Sequence, residues 1–201
     1  LSLVTAPVKP TSVATVDPAI VDALWAQLKQ AKQPLLWLGG GALRSADAVK
    51  KLADAGITVI SSTHARGVLP DSHRGSLRAF HNSPSVEALI AQCDFTLVAG
   101  SRLRSNETRS WTLALPSPRV QVDIDPAAAS RNYLMDSTLI ADCSALLSAL
   151  ADNVQGREWG NAQWDALVQQ AVEQAGQGLR DQCGPYARLN DAIEKALPQD
   201  G

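Results

Sequence analysis

The chain has 201 residues, 45% of them apolar and 19% charged, with 18 basic against 20 acidic side chains and a formal net charge of −2. That length can bury a core without disulfide staples, and the composition excludes a disordered tail. The balanced charge lacks the basic excess of a general nucleic-acid binder. No apolar run nears the ~20 residues of a membrane span, and the opening residues lack the basic region of a signal peptide. Cys93, Cys143 and Cys183 are odd in number and form no C-x-x-C, which suits idle thiols in a reducing cytoplasm.

Residues 1–17, rich in Val, Thr, Pro and Ser, show no period and read as an extended connector. Asp17-Pro18 opens a helix, with Asp as cap and Pro at the first helical position. Its stripe is Ile20, Val21, Leu24, Trp25 and Leu28. Pro34–Leu38 is a short apolar run ending in Gly39-Gly40-Gly41. Ser45 is placed to cap a helix from Ala46 to Ala55, which Gly56 stops. Ile57–Ile60 follows as a strand, then a helix at Val86–Cys93 and a strand at Phe95–Ala99. Arg119–Asp125 and Thr138–Ala141 read as further strands, and Ser144–Asp152 as a helix. Near-continuous apolar strands alternating with helices predict a parallel sheet covered on both faces. The expected fold is therefore α/β, a doubly wound, mainly parallel, Rossmann-like domain over residues 18–153. Residues 154–201 read as a helical tail, broken at Gly184-Pro185.

In an open parallel sheet, ligands bind beyond the carboxyl ends of the strands. The segments there are Gly39–Arg44, Ser61–His64, Gly100–Arg104, Asp123–Pro126 and Ala141-Asp142. They supply small residues, an arginine fork for phosphate and carboxylates for hydroxyl groups. Arg66, Arg74, Arg78, Arg102, Arg104 and Arg109 fall in a stretch without lysine, and matter together only if the fold gathers them. Arg104 is expected to alternate away from Arg102. The glycine run does not complete G-x-G-x-x-G, since Arg44 stands at the third position and the next strand ends in Ser61-Ser62. His64, His73 and His81 do not match a zinc spacing, and there is no G-x-S-x-G.

Four stretches together resemble the central domain of thiamine-diphosphate-dependent enzymes of the acetolactate synthase type. They are Ala31–Ala42, Ser62–His73, Cys93–Arg102 and Val122–Pro126, with Asn132-Tyr133 and Ala141-Asp142 following in order. The resemblance implies a three-domain parent enzyme that is a homodimer or homotetramer. Its pyrimidine-binding and diphosphate-binding domains would flank this one and hold thiamine diphosphate and Mg2+ outside this segment. Residues 1–17 then become an inter-domain connector, and 154–201 a linker into the diphosphate-binding domain. The parent reaction would act on a 2-oxo acid, by carboligation or decarboxylation, and this segment alone would carry no thiamine catalysis.

In such enzymes the central domain binds FAD, ADP or nothing. Carried over by position, the candidate contacts are Gly40, Gly41, Ser62, Thr63, Gly100, Arg102, Asp123, Ile124, Asp142 and Cys143. Amides near the glycines and the Arg102 fork would hold phosphates, and Asp123 or Asp142 would accept from ribose or adenine. Two departures weigh against FAD. The family's G-M-H-G is Ala79-Phe-His-Asn82 here, and G-A-R-F-D-D-R is Gly100-Ser-Arg-Leu-Arg-Ser-Asn106. The alternatives are a stand-alone adenine-nucleotide-binding regulatory domain and, less well matched, a sirtuin-type deacylase.

Overall fold

The computed structural model describes residues 16–197; residues 1–15 of the connector expected at 1–17 and the last four residues lie outside them. Five strands form one all-parallel sheet: β1 (Pro34–Leu38), β2 (Thr58–Ser61), β3 (Phe95–Ala99), β4 (Arg119–Asp123) and β5 (Ser137–Ile140). Their spatial order is β2-β1-β3-β4-β5. Nearly every position of the central strands is buried, because successive side chains enter opposite layers that are both covered. Leu36, Leu38, Phe95, Leu97, Val120 and Val122 face one layer, and Leu35, Trp37, Ile60 and Val98 face the other. Both faces are covered, so the strands read as unbroken apolar runs in the sequence.

The first layer holds α1 (Pro18–Leu28), α2 (Ala46–Asp54) and α4 (Cys143–Asn153). The second holds α3 (Pro84–Ile90) and the long α5 (Ala162–Cys183). The cap predicted at Asp17 forms, its Oδ1 accepting from the Ala19 amide at 2.9 Å. Ser45 makes no cap; its hydroxyl donates to Ser144 Oγ at 3.0 Å, tying α2 to α4. The helix α4 starts one residue earlier than its apolar pattern indicates, because Asp142 caps it through the Ala145 amide at 2.9 Å. The strand expected to reach Asp125 ends at Asp123, whose Oδ1 accepts from the Asp125 amide and turns the chain.

Residues beyond 153 are integral to this body up to the middle of α5. The Trp159 amide donates to Ala55 O at 2.7 Å, and its ring meets Trp25 edge-on at 5.8 Å. Asn161 caps α5 through the Trp164 amide at 2.9 Å, and Trp164, Val168, Ala171, Val172 and Ala175 are buried. A final helix, α6 (Tyr186–Ala196), follows the break at Gly184, where the sequence placed it.

The indole of Trp164 donates to Thr58 Oγ1 at 2.8 Å in the buried seam between α5 and β2. Trp164→Phe deletes the donor, strands the hydroxyl and leaves a gap, and should cost about 1–3 kcal/mol. Urea denaturation checks this. The double variant with Thr58→Val leaves no unmatched partner, so its loss should be smaller than the sum of the single losses.

Candidate functional site

The order β2-β1-β3 means that the chain leaves β1 toward one side and β3 toward the other. A crevice opens where these paths diverge, the place where open α/β sheets bind ligands. The turn after β1 and the turn after β3 meet there almost backbone to backbone. Gly39 N donates to Ala99 O at 2.9 Å, and Gly41 N to Gly100 O at 3.1 Å. A Cβ on Gly39 would lie 2.1 Å from Gly100 O, and one on Gly41 would lie 2.8 Å from Gly100 Cα. Gly100 has φ +61°, so it needs glycine's freedom as well as its lack of a side chain. The glycines are therefore first a crossing point of two loops. Gly39, Gly41, Ala42 and Leu43 already donate to carbonyls of the fold, which corrects the expectation of a turn lined with phosphate-binding amides. The Gly40 amide makes no such bond.

Over this crossing lies a cleft of about 350 Å³. Nine of the ten candidates line it: Gly40, Gly41, Ser62, Gly100, Arg102, Asp123, Ile124, Asp142 and Cys143. Thr63 does not. Its amide donates to Glu107 Oε1 at 3.1 Å, so it anchors a neighbouring loop behind the wall. The cleft also takes in Gly39, Leu43, His64, Ser101, Arg104 and Glu107, which sequence reasoning did not propose as contacts. Gly39 adjoins the proposed glycines and His64 follows Thr63, so adjacency could have found both. Glu107 carried no motif signal at all.

Of the arginines in the lysine-free stretch, the fold gathers Arg102 and Arg104 at this cleft. The expectation that Arg104 alternates away is overturned. Alternation belongs to strands, and β3 stops at Ala99; the buried Leu103 then adopts φ +48°, which swings the chain round. The loop is held from below: Gln121 Nε2 donates to Ser101 O at 2.9 Å, and Asn132 Nδ2 to Arg102 O at 2.6 Å. Arg102 Nη2 pairs with Asp125 Oδ2 at 3.2 Å, an exposed contact worth under about 1 kcal/mol. Arg104 has no ion-pair partner among the described residues. Elsewhere, Arg74 pairs with Asp165 at 2.9 Å, Arg109 pairs with Glu87, and Arg78 Nε donates to Asp71 O at 3.3 Å.

Asp123 and Asp142 each use one oxygen on a backbone amide. The Ser62 hydroxyl is buried at the wall without a partner among the described residues. Ile124 and Leu43 are 67% and 56% exposed at the rim, so the cleft has an apolar edge. Cys143 opens α4 with Sγ directed at Val122 O, 3.5 Å away. Burial first, then the negative charges of Asp123 and Asp142, pushes its thiol up from 9.0 to about 12. Burial does the same to Cys93. Neither is a nucleophile at neutral pH. In the folded chain at pH 8, a disulfide reagent should label the half-exposed Cys183 quickly, leaving Cys93 and Cys143 to react only on unfolding. Rapid labelling of all three thiols would contradict this.

A five-stranded parallel sheet covered on both faces, with a cleft at its switch point, defines a doubly wound α/β domain. Comparison with known proteins narrows it further. Residues 21–150 match the family described as thiamine pyrophosphate enzyme, central domain. The acetolactate synthase of Mycobacterium avium is 30% identical over 128 residues, 61% of this chain and 21% of that protein. The acetolactate synthase isozyme 1 large subunit of Escherichia coli is 28% identical over 147 residues, 71% of this chain and 26% of that protein. The pyruvate oxidase of Lactiplantibacillus plantarum is 30% identical over 148 residues, 71% of this chain and 24% of that protein. The chain belongs to the central-domain family of thiamine-pyrophosphate enzymes, and spans about a fifth to a quarter of the length of these curated relatives. The family implies thiamine diphosphate in the parent. No helix among the described residues is long and apolar enough to cross a membrane.

Proposed function

We propose that this central domain binds an adenine nucleotide, as ADP or as the ADP half of FAD, and stabilises a larger acetolactate synthase-like enzyme. The observation that carries the reading is the convergence of Arg102 and Arg104 on the switch-point cleft beside Asp123 and Asp142. A diphosphate would take the guanidinium forks, which suit bidentate contact with phosphate. Ribose hydroxyls would donate to the unused carboxylate oxygens, and the adenine would lie on Ile124 and Leu43. Ser62 Oγ supplies a further hydrogen bond to an inserted polar group, which explains a buried hydroxyl with no partner among the described residues.

In the parent enzyme, thiamine diphosphate and Mg2+ belong to the flanking domains, and the reaction is carboligation or decarboxylation of a 2-oxo acid. The parent would be a cytoplasmic homodimer or homotetramer, a setting consistent with three free thiols. The test is calorimetry of the 201-residue chain with ADP. Saturable binding that weakens with salt is expected, with no pyruvate consumption when thiamine diphosphate and Mg2+ are added. Absence of ADP binding at millimolar concentration, or cofactor-dependent pyruvate turnover by the chain alone, would count against the reading.

A further inference from the structure

Between Leu77, whose amide donates to Val59 O of β2, and Val86 in α3, only one residue is buried: His81, 6% exposed. It anchors the irregular segment Arg78–Ser83. The Ser61 amide fixes the start of that segment by donating to Arg78 O at 2.8 Å, and the exposed Asn82 fixes its end, Nδ2 donating to Asn106 O at 2.8 Å. Arg78 holds φ +55°, a conformation that a side chain resists. His81 Nδ1 is buried with no hydrogen-bond partner among the described residues. So is the indole Nε1 of Trp37 in β1, on a ring whose centroid lies 6.2 Å from that of the imidazole. The indole nitrogen can only donate, and an imidazolium would add a second ring donor and a charge beside it. Burial is the largest influence on this imidazole and pushes it below its ordinary 6.5. The Glu107 carboxylate, 2% exposed in the turn Ser105–Glu107, and the Ser61 backbone favour the proton; Arg66, after the turn Thr63–Ala65, opposes it.

We propose that His81 is an acid-released latch, whose protonation drives the ring out from beside Trp37 and frees the segment Arg78–Ser83. The freed segment is one wall of a groove of about 640 Å³ that Arg66 also lines. Ala79, Phe80, Asn82 and Ser83 form that wall, and Gly178 and Leu179 of α5 line the groove with them. Once out, the ring returns to its ordinary value, so the open form binds a proton that the closed form rejects. Opening therefore grows as pH falls below 6.5, by up to about tenfold per pH unit, and levels off below the closed-state value. Asp54 and Asp136 are held below their ordinary 3.8, chiefly by hydrogen bonds from Lys50 and Ser117, so they keep their charge while His81 titrates at about pH 5–6.

The experiment is amide hydrogen exchange on the 201-residue chain, without nucleotide, from about pH 7.5 to about pH 5, corrected for intrinsic exchange, with circular dichroism following global folding. The Phe80 and Ser83 amides donate to Leu77 O and Phe80 O. In the unaltered chain they should open at least about tenfold more at the acid end, while the amides of β1 and β3 keep their protection. His81→Phe keeps a ring in place with no proton to gain, and should abolish the response. Glu107→Gln removes the attracting charge yet retains an acceptor for the Thr63 amide, which donates to Oε1 at 3.1 Å, so the midpoint should move to lower pH. Arg66→Ala should move it to higher pH. These opposite shifts carry the test if His81→Phe fails to fold. Protection of Phe80 and Ser83 that acid leaves unchanged, or a loss spread evenly over the sheet, overturns the latch. An undiminished acid response in His81→Phe also overturns it, by placing the titration on another group such as His73. A midpoint that neither Glu107→Gln nor Arg66→Ala moves does the same.

Discussion

Gly100→Ala is expected to lower the melting temperature by roughly 6–16 °C, about 3–4 kcal/mol in a chain of this size. Two costs add. The backbone at φ +61° lies in the left-handed region, which charges an alanine about 1–2 kcal/mol. The new Cβ would also stand 2.5 Å from Gly41 Cα, a backbone atom that cannot rotate aside, so the two loops must separate. Gly39→Ala carries the steric cost alone: its Cβ would be 2.1 Å from Gly100 O. Gly40→Ala is the internal control, since its Cβ meets only His64 Cβ at 3.5 Å, an ordinary contact. Thermal unfolding of the three variants should give large losses for Gly100 and Gly39 and a change within about 0.5 kcal/mol for Gly40. Equal melting temperatures across the set would mean that the crossing of the β1 and β3 turns is loose.

Arg102→Ala and Arg104→Ala are each expected to weaken ADP binding by roughly ten- to a hundredfold, the loss of a charge-assisted phosphate contact worth about 1.5–3 kcal/mol. Arg66→Ala should leave it unchanged, because Arg66 lines the neighbouring groove. Arg102 must give up Asp125 to reach a phosphate, so Asp125→Asn should tighten ADP slightly. Calorimetry at two salt concentrations checks all four, and the unaltered chain should lose affinity as salt rises. A loss confined to Arg102→Ala would restore the simple alternation that Leu103 breaks.

The strands and their layering were legible because they depend on local pattern: apolar runs of four or five residues between helical periods fit only a sheet covered on both faces. The position of the cleft was legible in outline for a related reason. Parallel topology places every strand's carboxyl end on one edge, and nine of the ten proposed residues lie along the cleft there. Thr63 is the exception, since its part is set by a bond to Glu107, 44 positions along the chain. No periodicity encodes such a bond.

What the sequence by itself determined was the sheet, the helices and the edge at which the cleft opens, because propensity and burial patterns act over a few residues. Tertiary structure alone decided that the glycines serve as a crossing of two backbones. It also returned Arg104 to the cleft through the left-handed turn at Leu103, and freed Ser45 from capping to bond Ser144. The first half of α5 packs into the core for the same kind of reason: Trp164 finds Thr58, 106 positions earlier. Each of these outcomes depends on close packing and on hydrogen-bond partners that meet only when distant segments fold together, and the chain's local order carries no record of them.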